Sequence, residues 1–341
     1  MNSLDRVLAT LGGQPVDRPA YTLMLGLYGA HLTGASLHDH YSDPQVYVEG
    51  QIAVWETFGP DLLFGPFAFP SLAEAFGGTL HHHTTQPPTM AAPPFTSATE
   101  ALARWNPEPT DHPVFRYLTE CTRLLTKQFA GRVPVIPSMP SPVDLPVFLL
   151  GAEGWLSTLL FDPPAAQRLL EKASNFCLAW GHQLMESGGL ALGVTADFSS
   201  PDVLPERLLR SLTLPSLRAC FSGLPGPFIF HHGGCRLAPH LGLLGGLPGV
   251  AGYVLDPRDD LAEGRSRLGA GPLLLGGLNG PELETGTAQA VKARCLQVLT
   301  ERQADPTFIL ASGNADVPLA TPPKVIQAVG EATREWRSVS A

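Results

Sequence analysis

Pro227-Phe228-Ile229-Phe230-His231-His232-Gly233-Gly234-Cys235 is the stretch from which the fold of this chain is read. An apolar run, nearly continuous rather than alternating, enters a glycine turn, as a parallel strand buried on both faces does. The same pattern recurs along the chain. Short β-rich runs that end in Gly, Pro, Asn or Asp punctuation occupy 20–24, 61–64, 133–137, 190–197, 227–232, 250–256, 272–276 and 307–312. Helical periodicity fills most of the intervals, at 43–58, 115–129, 163–187, 205–220, 262–268, 288–302 and 322–337. The first of these opens with Asp43-Pro44, a cap followed by proline in the first turn. Eight strands alternating with helices predict an α/β chain folded as a (β/α)8, TIM-like barrel, a single domain over 1–341 with loop insertions. Segment 77–113, with prolines 87, 88, 93 and 94, reads as a long ordered excursion over the barrel. A doubly wound open sheet is the competing fold. It would place a phosphate-binding glycine loop after the first strand, and Leu25-Gly26-Leu27-Tyr28-Gly29 lacks that spacing.

Composition narrows the partners. With 22 Lys+Arg against 31 Asp+Glu, the formal charge of −9 argues against nucleic acid or an anionic membrane as the main partner. No apolar run approaches the roughly 18 residues of a membrane span. The opening Met1–Leu11 lacks the charged-then-apolar order of a signal peptide, so a cytoplasmic location is expected. Cysteines 121, 177, 220, 235 and 295 are odd in number and scattered, which fits reduced thiols; all but Cys235 lie on helical patterns and read as core. Charged residues are 16% of the chain, against about 25% in typical soluble domains, while Gly (35) and Pro (34) are in excess.

Chemistry in such a barrel gathers at the C-terminal ends of the strands. The third strand ends in Ser138-Met139-Pro140-Ser141-Pro142 and the fourth in Asp197-Phe198-Ser199. The fifth ends in His231-His232-Gly233-Gly234-Cys235, the sixth in Asp256, the seventh in Asn279 and the eighth in Asn314. His231, His232 and Cys235 could supply metal ligands; equally, one histidine packs against helices while the other bonds locally. Alternation puts the two on opposite faces, so one points into the mouth. Asp197 reads as functional because Ser199-Ser200-Pro201-Asp202 offers closer caps for the next helix. Asp256, followed by Pro257, reads equally as a cap. Asn279 and Asn314 read as hydrogen-bonding groups or as turn residues. His81-His82-His83 cannot converge on one ion and reads as solvated.

In order along nearly the whole chain, several blocks resemble the uroporphyrinogen decarboxylase superfamily, specifically its cobamide-dependent methyltransferase branch, the methylcobamide:coenzyme M methyltransferase-like enzymes. The blocks are Asp17-Arg18-Pro19, Thr33-Gly34, Tyr41-Ser42-Asp43-Pro44, Phe58-Gly59-Pro60-Asp61 and Ala73-Glu74-Ala75-Phe76-Gly77-Gly78, then Gly276-Gly277-Leu278-Asn279-Gly280-Pro281 with Gly286-Thr287, and Phe308–Gly313 with Asn314 and Thr321-Pro322-Pro323. The resemblance implies a (β/α)8 barrel. Decarboxylases of the superfamily carry an arginine-rich segment after the first strand and a catalytic aspartate after the second; here those places read Leu23-Met24-Leu25-Gly26-Leu27-Tyr28 and Gly65-Pro66.

The branch implies methyl transfer between a corrinoid (methylcobalamin, free or on a corrinoid protein) and a small-molecule donor or acceptor. Its thiol-activating members hold zinc through His-x-Cys after strand five and Cys after strand eight. Gly233 and Asn314 stand at those cysteine positions here. The expected site is therefore catalytic Asp197, His231 and His232, substrate-binding Tyr28, Asp256, Asn279 and Asn314, and His232 with Cys235 as metal ligands if zinc is bound. A non-catalytic corrinoid- or tetrapyrrole-binding barrel and uroporphyrinogen decarboxylase itself are the alternatives.

Overall fold

A computed structural model describes residues 1–109, 111–313 and 315–336. Eight parallel strands close a barrel. We number them β1 (Tyr21–Thr22), β2 (Leu63–Phe64), β3 (Val135–Ile136, resuming as Ser138–Pro140), β4 (Leu192–Thr195), β5 (Phe228–His231), β6 (Val250–Val254), β7 (Leu273–Asn279) and β8 (Phe308–Gly313). The ladder runs β1–β8–β7–β6–β5–β4–β3, and β3 in turn pairs with β2 through Leu63↔Val135. The ring closes between β2 and β1, where the Asp61 amide donates to the Tyr21 carbonyl (2.8 Å) and Thr22 Oγ1 donates to the Leu62 carbonyl (3.1 Å). Pro137 interrupts β3 because it has no N–H for the ladder.

Two cores follow from this geometry. Inside the barrel pack Ala20, Leu62, Ile136, Leu273, Leu275, Ile309 and Ala311. The other faces of the same strands, such as Phe228 and Phe230 of β5, pack against the surrounding helices. A strand buried on both sides carries apolar residues at every position, which is why the runs are continuous rather than alternating.

The helix Pro44–Phe58 starts where expected: Asp43 accepts a bond from the Gln45 amide (2.8 Å), and Gly59 ends it at φ 70°. Where 205–220 predicts one helix, the chain forms Glu206–Leu208, a π-turn Leu209–Thr213 and Leu214–Gly223. Pro215 cannot donate into the preceding turn, and the wider turn absorbs that defect. A helix the sequence reading passed over, Val147–Phe161, breaks at Gly151 (φ 73°, ψ 163°). Segment 77–113 holds an antiparallel hairpin, Thr79–His81 with Thr89–Ala92, and the helix Ala98–Arg104. The Phe95 amide ties this excursion to the Leu149 carbonyl (3.1 Å), so it is anchored on a flanking helix. Among the described residues, no helix is long and apolar enough to cross a membrane.

Candidate functional site

Inside the C-terminal end of the barrel lies a narrow cavity of about 40 Å³, walled by Met24, Phe64, Phe67, Thr195, His231 and Ser312 among others. His231 is the one titratable residue among the described residues that line it. The phase of β5 explains its orientation: Ile229 and His231 face the cavity, while Phe228 and Phe230 face the helices. The Gly233 amide donates to His231 Nδ1 (2.9 Å), so the neutral ring carries its proton on Nε2. Burial pushes the His231 pKa down to about 4, although nearby Asp256 acts in the opposite direction, and the ring is neutral at pH 7.

His232 takes the opposite phase. It is 1% exposed, and its Nδ1 donates to the Arg236 carbonyl (3.0 Å), while Nε2 is buried without a partner. The expectation that His232 joins the mouth as a catalytic group is corrected: it does not line the cavity, because successive strand residues point to opposite faces.

Beside the cavity stands a pair of carboxyls. Asp144, in the turn after β3, accepts bonds from the amides of Asp197 (2.9 Å, to Oδ2) and Phe198 (3.0 Å, to Oδ1), and also bonds the Thr195 side chain. It thereby caps the 3-10 turn Asp197–Ser199. Burial raises the Asp144 pKa, and the Asp197 charge raises it further; burial also raises that of Asp197. The two share protons well above the ordinary carboxylate range. Asp197 Oδ1 is buried without a hydrogen-bond partner among the described residues. Its carboxyl lies against Gly233, where a Cβ would fall 1.7 Å from Oδ1 and 2.3 Å from Oδ2. Cys235 is half-buried close by, its thiol pKa raised by burial and by Asp197, Asp202 and Asp144, while a bond to Ser200 opposes the shift.

Other expected residues are placed elsewhere. Tyr28 is fully buried, packs against Phe58 and donates its hydroxyl to the Thr321 carbonyl (2.6 Å), so that hydroxyl is already used within the fold. The chain turns into the helix Tyr28–Thr33 right after β1 and carries this side chain into interhelical packing. Asp256 is held by Arg258 through both oxygens (2.6 and 3.0 Å). Burial opposes its charge, but the guanidinium outweighs that and keeps its pKa low. Asn279 lines a separate cleft of about 320 Å³ with Pro257, Glu282 and Arg294, and its Oδ1 is buried without a partner. Asn314 lies outside the described residues. His81 and His82 are exposed, and His83 bonds Thr89 Oγ1 (2.9 Å).

The donor set does not fit the zinc–thiolate centre that the resemblance implies. Among the described residues, no group of three or more His, Cys, Asp or Glu side chains is placed to hold a metal ion. At position 233 the space a thiolate would need is filled by the Asp197 carboxyl.

The sequence reading missed Asp144. The turn Ser141-Pro142-Val143-Asp144 follows directly on β3, and a carboxylate three residues past a strand-end serine was the available signal.

A family model described as uroporphyrinogen decarboxylase (URO-D) matches residues 2–336. The chain is 26% identical over 293 residues to a uroporphyrinogen decarboxylase of Syntrophotalea carbinolica, covering 82% of this chain and 81% of that one. It is 26% identical to another from Alkalilimnicola ehrlichii, covering 97% and 93%. It is 23% identical over 221 residues to the methylated-thiol–coenzyme M methyltransferase of Methanosarcina mazei, covering 62% and 57%. Among solved structures, a methyltransferase from Methanosarcina mazei superposes with a TM-score of 0.81 at 19% identity, covering 98% of this chain and 99% of that one; this establishes the barrel.

Proposed function

The chain belongs to the uroporphyrinogen decarboxylase family, and from that premise we propose that it is an enzyme of the methyltransferase kind within it, moving a methyl group between a corrinoid co-substrate and a small molecule at the mouth of the barrel. The cavity wall carries this reading. Among the described residues it holds no arginine or lysine, and the cations that follow β5 and β6 are already paired, Arg236 with Asp259 and Arg258 with Asp256. A uroporphyrinogen bears eight carboxylates, and burying them calls for paired guanidinium or ammonium groups. A small, weakly charged methyl donor or acceptor has no such need.

At about 40 Å³ the cavity is far below the roughly 300–1,000 Å³ of a drug-sized ligand site. A corrin ring therefore belongs outside it, presented free or on a corrinoid protein across the strand ends. Within this reading His231 contacts the small molecule through Nε2–H, and Asp197 stands at the rim. The corrinoid supplies or takes the methyl group; His231 and Asp197 orient the partner molecule and handle its proton.

The curated relatives named uroporphyrinogen decarboxylase support a second reading, decarboxylation. One experiment separates the two. Purified protein is given methylcobalamin with thiol, amine and phenol acceptors, and in parallel uroporphyrinogen, with loss of the methyl–cobalt absorbance and formation of coproporphyrinogen as readouts. Demethylation of methylcobalamin without porphyrinogen turnover is expected. Coproporphyrinogen formation overturns the methyltransferase reading.

A further inference from the structure

The arrangement around Asp197 resolves into three separate facts. Asp144 binds the Asp197 and Phe198 amides and so fixes the turn that carries Asp197. The Asp197 carboxyl rests on the bare α-carbon of Gly233, where any side chain would collide with both of its oxygens. Among the described residues its Oδ1 accepts no hydrogen bond although it is buried, while the residue as a whole is only partly buried and follows Thr195 of the cavity wall with only Ala196 between them. A buried acceptor without a donor is costly, and a ligand carrying X–H relieves that cost.

The connection to the cavity is short. Thr195 lines the cavity and bonds Asp144; His231 lines it and accepts the Gly233 amide. The titratable and charged groups on the elements about Asp197 are Asp144 on the β3 turn, His231 and Cys235 on the β5 turn, Asp202 with its partner His240 (3.3 Å) beside Cys235, and, past β6, Asp256 with Arg258, whose guanidinium also donates to the Gly234 carbonyl (2.6 Å). The one guanidinium in that set, Arg258, is already held by both oxygens of Asp256.

We propose that Asp144 and Gly233 together make Asp197 the proton acceptor for a methyl acceptor bearing a thiol, amine or hydroxyl X–H group, so that a carboxyl pair activates the acceptor in this chain. This deepens the methyltransferase reading and rests on it. In the step, a new carbon–X bond forms and the methyl–cobalt bond of the co-substrate breaks. Its electron pair stays with cobalt, which is reduced from Co(III) to Co(I), and the X–H proton passes to Asp197 and then to solvent. Asp197 is the catalytic residue; Asp144 is a positioning residue, and Gly233 supplies the space.

The test measures methyl transfer from methylcobalamin to a small thiol and a small amine across pH 5–9 in wild type, D197N, D144N and G233A, alongside carboxyl carbon NMR titration of the aspartates. The wild-type rate is expected to rise with pH as Asp197 ionises, near 6. D197N is expected to lose this limb and about 100-fold or more in rate, the usual scale for a positioned base. Wild type should show two carboxyl steps above the ordinary range, and D144N one, with folding unchanged by circular dichroism. G233A should lose rate as D197N does while still binding methylcobalamin. A D197N enzyme with the wild-type rate and pH profile overturns this inference alone. A wild type that transfers no methyl group to any acceptor overturns the methyltransferase reading, and this inference with it.

Discussion

The carboxyl of Asp197 and the α-carbon of Gly233 are packed so closely that a Cβ at 233 would lie 1.7 Å from Oδ1. Gly233 also has φ +56°, a left-handed value that penalises most side chains. Two substitutions separate these reasons. Asn tolerates left-handed backbone and Ala does not, but both carry a Cβ. If crowding dominates, G233A and G233N each lose about 1–3 kcal/mol in urea unfolding. If φ dominates, G233N regains wild-type stability, and the crowding argument fails.

At the opposite, N-terminal end of the barrel, Asp61 is wholly buried. It accepts bonds from Arg6 (2.6 Å), Arg18 (2.7 and 3.0 Å), Ser3 (2.9 Å) and the Tyr21 amide (3.0 Å). Arg6 is itself buried, with a 5% exposed side chain, and has Asp17 as a second partner. D61N leaves those guanidinium groups facing a neutral amide, so about 3–5 kcal/mol of stability is expected to be lost. Because this cluster is at the far end from His231, the kinetic constants of the folded fraction should not change. Chemical denaturation and assay of the same preparation check both halves.

His40 is fully buried. Its Nε2–H donates to the Gly26 carbonyl (2.8 Å), and Nδ1 has no partner. Burial lowers its pKa to about 4, which the Gly26 bond only partly opposes, against about 6.5 when unfolded. The unfolded chain therefore binds more protons between these values. The stability tied to the neutral ring is complete above about 6.5 and is lost as the pH falls towards 4. Asp144 and Asp197 act with the opposite sign, since raised carboxyl values favour the fold in acid and lose that contribution as the pH rises. A difference measurement isolates the histidine. The stability gap between wild type and H40Q should shrink on acidification from pH 6.5 to 4.5, by up to about 1.4 kcal/mol per pH unit. A gap that is constant with pH would mean the ring titrates normally.

All eight barrel strands were legible because burial on both faces leaves an uninterrupted apolar signature. Alternation likewise announced that one of His231 and His232 faces the mouth; counting back through Phe230 and Ile229 assigns it to His231. The helix Val147–Phe161 was not legible. Its first turn, Val147-Phe148-Leu149-Leu150, has no polar face, and Gly151 breaks its periodicity. Asp144 was missed because the reading of β3 stopped at Pro142, two residues short of the side chain that fixes Asp197. Tyr28 was misplaced for a different reason: a residue shortly after a strand end is near the mouth in sequence, yet the helix beginning there turns it into the packing against Phe58. Asp256 reads from sequence as a functional group or as the cap of the next helix; Asp260 caps that helix, Leu261–Leu268, and Asp256 pairs instead with Arg258, a partner the sequence did not reveal because a charge two residues on is uninformative until the turn is known.

The helices Tyr28–Thr33 and Pro44–Phe58 cross at Gly29 and Gly50. A Cβ on Gly29 would lie 2.8 Å from the Gly50 carbonyl carbon, and one on Gly50 would lie 3.0 Å from that of Gly29. The obstacle at this crossing is backbone, which cannot turn aside as a side chain can, so the helices must separate. Separation strains Gln51, whose Nε2 reaches the Leu25 and Gly26 carbonyls (both 3.2 Å), and His40, which bonds the same Gly26 oxygen. That segment leads directly from β1 towards the mouth, where Asp316 Oδ1 accepts the Gly26 amide (3.1 Å). G29A is therefore expected to cost about 1–3 kcal/mol, the range for overpacking, and G50A a similar amount. The two changes share one contact. Once the first has separated the helices, the second has less left to disturb, so the double variant should lose less than the sum of the singles. Strict additivity in a double-mutant cycle would show that the glycines do not act through this crossing.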